Sequence, residues 1–317
     1  MKLLLIGFPV FNYIDSISAE AKLLGYDVTY YNIEPWSNYR KVLRRASPAR
    51  FAALRDREQK DIIAREAKTD YDVVLFIQCH QFSAENLKEL RRTQPRAHFV
   101  LYNWDSIKTF DYSPFIPLFD KVYTFDHADA ERLKVGYLPL FCIRELQPSG
   151  PSHAEKRRVY FVGKVEGIRR YMPIRRFKDY CRTHGIEFDC TMVAARWRVY
   201  LELLRRGVVA TDLSRRSISK TELRAIMDKA SAVFDYANYE QTGFTMRVME
   251  NLCAGKKLIT ASRNIRHESF YSPDRIFILE NDNFDGIDKF LDAEIKDQGG
   301  SMEEFYVQNF TKKLLAA

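Results

Sequence analysis

Short apolar runs alternate with helix-spaced stretches along almost the whole of this 317-residue chain, and that alternation limits the fold to the α/β class. Lys2 to Gly7, Asp27 to Asn32, Val73 to Gln78, His98 to Asn103, Lys121 to Phe125 and Tyr137 to Phe141 read as strands. The Arg-rich helical stretch from Trp36 to Lys68 is expected to break near Pro48, since proline disrupts a helix interior. A second series runs through Arg158 to Val162, Glu187 to Val193, Ala232 to Tyr236 and Lys257 to Thr260, and closes with Arg275 to Leu279. Between the two series, Gln147 to His153 holds two prolines, a glycine and two serines, the composition of a linker. The expected architecture is two doubly wound, Rossmann-like domains facing each other across a cleft. Their expected bounds are 1–146 and 156–300, joined by a linker at 147–155, with a last helix in 301–317 that crosses back to the first domain.

In open parallel sheets, ligands gather at the carboxyl ends of the strands. Polar residues stand there in the first series: Asp15 beyond Gly7-Phe8-Pro9, then Cys79-His80-Gln81, Asn103-Trp104-Asp105-Ser106, and Asp126-His127. Asp105, Ser106 and Asp126 are also good helix caps, and a histidine satisfied by its neighbours is an ordinary alternative for His80. In the second series, Tyr160 to Val162 runs into Gly163-Lys164, with Arg169 and Arg170 opening a helix; Arg175 and Arg176 read as a solvated face.

The densest segment is Gln241 to Thr260, QTGFTMRVMENLCAGKKLIT. Thr242 and Gly243 are expected at the N-cap side of a helix, where unpaired amides and the dipole favour an anion. Arg247 would add a fork of donors to the same phosphate, and Glu250 an acceptor pair for ribose hydroxyls. Phe244, Val248, Met249 and Leu252 form a core stripe. Gly255 stops the helix before the strand Lys257 to Thr260.

Gln241, Gly243, Thr245, Arg247 and Glu250, with Lys257 to Thr260 behind them, resemble the donor-site signature of bacterial polysaccharide glycosyltransferases of the GT-B fold, especially a lipopolysaccharide and capsule group. The resemblance is clear over Ser217 to Leu279, thinner over Val159 to Phe177, and architectural in the N-terminal half. The broader retaining families carry two glutamates flanking Gly-Phe-Gly. Glu250 matches the second, whereas Thr242 stands in place of the first and Thr245 in place of the second glycine, so the stereochemical outcome stays open.

The resemblance implies a metal-independent glycosyltransferase of the hexosyl type, with a nucleotide-diphosphate sugar as co-substrate and no resident cofactor. Gly163, Lys164, Arg169 or Arg170, Thr242, Gly243 and Arg247 would bear the diphosphate, and Glu250 the ribose. The N-terminal domain would hold a lipopolysaccharide, O-antigen or capsular acceptor, glycan or glycolipid, with Asp105, His80 and Asp15 as candidate bases.

Net charge is +8, and it is local: Lys156 to Arg216 holds 16 Lys/Arg against 6 Asp/Glu. Such a face suits nucleotide phosphates or the anionic inner leaflet; no nucleic-acid motif accompanies it, so no nucleic-acid partner is expected. The five cysteines are scattered, odd in number and never in a C-x-x-C pair, which argues for a reducing cytoplasm and against structural zinc. MKLLLIGFPVF reads as a first strand and not a signal peptide, because a helix and second strand follow at βαβ spacing. No apolar run is long enough to span a bilayer. A nucleotide-sugar epimerase or a non-catalytic nucleotide binder shares these expectations, while an NAD-dependent oxidoreductase lacks its G-x-G-x-x-G after the first strand.

Overall fold

The computed structural model describes residues 1–9, 12–35, 37–146, 154–194, 197–236, 243–296 and 302–316. The expected linker Gln147 to His153, and Thr242 of the donor motif, lie outside them. The chain divides into two compact units: Met1–Arg144 with Gly243, Phe244 and Glu304–Ala317, and a second of Glu145–Gln241 and Thr245–Glu303.

The first unit comprises β1 (Lys2–Gly7), α1 (Tyr13–Leu23), β2 (Asp27–Asn32), α2 (Asn38–Ala46), α3 (Pro48–Glu66), β3 (Val73–Ile77), α4 (Ala84–Thr93), β4 (His98–Asn103), β5 (Lys121–Thr124), α5 (His127–Leu133) and β6 (Gly136–Tyr137). Its six strands are all parallel, in the order β2-β1-β3-β4-β5-β6. The central strands β1, β3 and β4 are nearly continuous apolar runs, as burial on both faces requires, whereas edge strand β2 mixes polar residues and is half-buried. The helical stretch breaks at Ser47, and Pro48 opens α3, where its missing N–H costs nothing. A C-terminal helix, Val307–Leu315, buries Val307, Phe310, Leu314 and Leu315 in this unit; the Phe310 ring packs against Phe141 at 4.3 Å and Tyr102 at 4.9 Å.

The second unit comprises β7 (Glu155–Lys164), α6 (Ile168–Thr183), β8 (Glu187–Val193), α7 (Trp197–Arg205), β9 (Leu213–Ser214), α8 (Lys220–Lys229), β10 (Ala230–Asp235), α9 (Met246–Cys253), β11 (Lys257–Thr260), β12 (Ile276–Ile278) and α10 (Ile287–Asp292). Again all six strands are parallel, in the order β12-β11-β10-β7-β8-β9. The strand order reverses between β7 and β10, so the carboxyl ends of those two strands flank the crevice where this topology takes ligands. Phe177 and Phe234 stack at 4.1 Å in the core beneath.

Two local expectations are corrected, and one short strand is added. Only Gly136 and Tyr137 pair as a strand; the Leu138 amide still donates to the Thr124 carbonyl of β5, after which the chain leaves the sheet, and Leu138, Leu140 and Phe141 are buried as core. The two-residue strand β9 has too short a pattern to be visible in the sequence. The helix of the donor motif begins at Met246, capped by Thr245, whose hydroxyl accepts from the Val248 amide; Gly243 lies outside it. Gly255, at φ +74°, ends that helix as expected.

Candidate functional site

In the second unit, the first turns of α6 and α9 bring two arginines to the Asp235 end of β10. Arg170 is the third residue of α6 and Arg247 the second of α9, and neither helix has an acid in its first turn. A cation at a helix N-terminus opposes the dipole, so both positions favour an anion that is not a side chain of the same turn. Nε of Arg170 and Nη1 of Arg247 are buried without a hydrogen-bond partner among the described residues.

Gly163 makes room for this arrangement: a Cβ there would lie 2.9 Å from the Phe161 ring and 3.3 Å from Nη2 of Arg170. The guanidinium of Arg170 sits 5.7 Å from the centre of that ring. Asp235, the last residue of β10, is buried beside both arginines. Burial raises its carboxyl above the usual range, and the charges of Arg170 and Arg247 oppose that rise. Burial likewise lowers Arg170, against the pull of Asp235 and Glu166. One buried carboxylate thus stands against two half-buried cations.

Glu250 follows Arg247 by three residues on α9 and is 8% exposed, so it is not a solvated surface acid. Asn251 donates to the Tyr160 hydroxyl at 2.6 Å and to the Arg247 carbonyl at 2.8 Å. Burial pushes the Tyr160 phenol up to about 12, offset in part by Arg247. The turn was expected to supply Arg169 or Arg170: Arg169 is exposed, and Arg170 is half-buried beside Gly163 and the Phe161 ring. Lys164 ends β7 with its side chain exposed, and Arg176 pairs with Asp282 at 2.8 Å. The two lysines of the motif, Lys256 and Lys257, are structural: Nζ of Lys256 donates to the Ala230 carbonyl, and Nζ of Lys257 to Phe290, Leu291 and Ala293 at the end of α10.

Gly243 has a different role from the expected one. Its amide donates to Oδ2 of Asp126 at 3.1 Å, while Oδ1 of Asp126 caps α5 by accepting from Asp129. A Cβ on Gly243 would fall 2.6 Å from the Phe125 ring and 2.7 Å from its carbonyl, so no larger residue fits. Within the first unit, the amide of this glycine is thus committed to a carboxylate.

In the first unit, polar side chains collect at the carboxyl ends of β3 and β4. Gln78, at φ +61°, donates to Asp105, and the Gln81 amide nitrogen contacts Nε2 of His80. That contact makes Nε2 the acceptor and leaves the proton on Nδ1, which is buried without a partner among the described residues. The Oε1 atoms of Gln78 and Gln81 and Oδ1 of Asn103 share that state. His80 lies between Phe110 at 4.5 Å and Phe8 at 6.1 Å, and burial lowers its pKa against the raising effect of Asp105. Asp15 is exposed in the first turn of α1 and is not among the charges acting on His80.

Sequence reasoning singled out Arg247 and Glu250 but missed Asp235, Tyr160 and Asn251. Asp235 had a usable signal, an acid at the carboxyl end of a strand; Asn251 and Tyr160 had none.

No family model and no curated protein matches this chain. Solved structures do. The Candida albicans trehalose-6-phosphate phosphatase N-terminal domain is similar with TM-score 0.62 and 10% identity, over 98% of this chain and 95% of that one. A glycosyltransferase from Rickettsia africae ESF-5 gives 0.59 and 11%, over 98% and 96%. The catalytic domain of Arabidopsis thaliana starch synthase IV, bound to ADP and acarbose, gives 0.57 and 9%, over 100% and 95%. The chain has the GT-B fold of two Rossmann-like units.

Proposed function

We propose that this protein is a glycosyltransferase that moves a hexose or similar sugar from a nucleotide-diphosphate donor to a lipopolysaccharide, O-antigen or capsular glycan acceptor. The observation that carries the reading is the pair Arg170 and Arg247, half-buried at the strand-order reversal, each with a buried donor atom unpartnered among the described residues, and the buried carboxylate of Asp235 beside them. The fold is shared with a protein described as a glycosyltransferase and with a starch synthase domain that binds ADP.

As the glycosidic bond breaks, negative charge grows on the departing diphosphate. Fixed guanidinium groups aimed at it stabilise that transition state more than the ground state, without a metal. Lys164 and the exposed Arg169 extend the positive field at the same turn. Glu250 receives the ribose hydroxyls. On the acceptor side we place Asp105: if the displacement inverts, it takes the proton of the attacking hydroxyl, ahead of His80, whose acceptor nitrogen is already engaged. A glycolipid acceptor would be met in the cytoplasm at the inner leaflet; no helix of the described residues is long and apolar enough to cross a membrane.

A calorimetric and thermal-shift panel of nucleoside diphosphates and their sugars tests the donor site. Stabilisation by at least one nucleoside diphosphate is expected, and lack of binding to every one sinks the reading. Turnover of the sugar nucleotide without any acceptor would replace it with an epimerase.

A further inference from the structure

The helix α7 has two apolar faces. Val199 and Leu203 point into the core of the second unit and are 5% and 0% exposed. Trp197, Leu201 and Leu204 occupy another stripe, at the i, i+4, i+7 spacing of a single helix face, and are 63%, 36% and 60% exposed. Single exposed leucines are common, but a contiguous stripe headed by tryptophan, with Val209 exposed just beyond the helix, is a surface that expects a partner.

The charges beside the stripe identify that partner. Arg198 and Arg205 lie one turn-face over from Trp197 and Leu201, and Arg206 follows the last helical residue; all three are exposed and make no ion pair among the described residues. Arg215 lies over the Tyr200 ring on the neighbouring side of the same helix. Apolar side chains flanked by unpaired arginines match the two layers of an anionic bilayer surface. Tryptophan and leucine enter the headgroup boundary, while arginine stems lie along it and their heads meet lipid phosphates.

We propose that the Trp197–Leu201–Leu204 face of α7 docks the protein on the surface of an anionic membrane, with Arg198, Arg205 and Arg206 on the headgroups. The inference rests on the proposed function only for the choice of leaflet, and nucleotide titrations in solution succeed or fail without reference to it.

The test is sedimentation of the full chain with vesicles of phosphatidylcholine alone and of phosphatidylcholine mixed with phosphatidylglycerol. Binding to the mixed vesicles only is expected, with a blue shift of tryptophan fluorescence that Trp197→Phe removes. Replacing the three arginines with glutamine should weaken binding about five-fold per residue, roughly a hundred-fold together. Leu201→Gln with Leu204→Gln should weaken it at least about ten-fold. Circular dichroism and nucleotide binding check that these surface variants stay folded. Equal partition of wild type and variants, or no partition at all, overturns the proposal. So does a concentration-dependent dimer abolished by the leucine variant, which would make the face a contact between copies, or salt-sensitive RNA binding in place of vesicle binding.

Discussion

Replacing Arg247 with methionine keeps a long side chain on α9 while removing one of the two cations that face Asp235. Nη1 of Arg247 has no hydrogen-bond partner among the described residues, so the unliganded protein loses no bond at that atom. Asp235 retains Arg170 as its counter-charge. The variant should therefore lose no more than about 1 kcal/mol of stability, well short of the roughly 3–5 kcal/mol that follows when a buried charge is left with no partner. Ligand binding should suffer far more. A hydrogen bond between charged groups contributes about 1.5–3 kcal/mol, which predicts a rise of about 10- to 150-fold in the dissociation constant for a nucleoside diphosphate. At a ligand concentration about 100 times the wild-type constant, the wild type gains about 2.7 kcal/mol; after a 100-fold weakening only about 0.4 kcal/mol remains. At roughly 2–4 °C per kcal/mol, a ligand-induced shift of about 5–11 °C falls to about 1–2 °C. Thermal melts with and without ligand, backed by calorimetric titration, measure both quantities. The double variant Arg170→Met, Arg247→Met supplies the contrast, because Asp235 then loses both partners and the unliganded fold should weaken by about 3–5 kcal/mol. Unchanged nucleoside diphosphate affinity in Arg247→Met refutes the reasoning. A large loss of unliganded stability in that single variant refutes it as well, since the arginine would then be a structural counter-ion.

Glu250→Gln should erase most of the preference for ribonucleotides over 2′-deoxyribonucleotides, a change of about ten-fold or more in relative affinity by calorimetry; a preserved preference removes Glu250 from the ribose. Gly243→Ala places a methyl against the Phe125 ring and carbonyl, and should cost about 1–3 kcal/mol in urea unfolding, with no loss expected if the loop simply shifts away. Burial holds His80 below the usual imidazole range near 6.5, so the unfolded chain takes up a proton that the folded chain excludes as pH falls through that window. Stability should therefore drop on acidification from about pH 7 to 5, and His80→Gln should flatten that slope in melts across the range; an unchanged slope assigns it to other groups.

Much of the architecture was legible because its signals are local. The apolar run of β3 predicts a doubly covered strand, and Pro48 and Gly255 mark the places where helices start or stop, all from a few adjacent residues. Arg247 and Glu250 could be chosen from their spacing on α9. Gly243 lies on the N-terminal side of the helix start, as expected, but which threonine caps that helix has no local signal, and only the hydrogen bond from the Val248 amide identifies Thr245. That Arg170 and not Arg169 is the half-buried one turns on which side of α6 faces Gly163 and Phe161, a matter of packing that neighbouring identical residues conceal.

The sequence by itself determined two α/β series, most strand and helix positions, and the residue types available for holding a diphosphate. These follow from periods of 2 and 3.6 and from the dihedral limits of proline and glycine, which act within one element. Only the tertiary structure decided that β7 and β10 lie side by side, that Asp235 stands against Arg170 and Arg247, and that the Gly243 amide is spent on Asp126, 117 residues away in the chain. Strand order and charge pairing depend on which crossovers bury the most apolar surface at once, a property of the whole packed unit that no short window of residues carries.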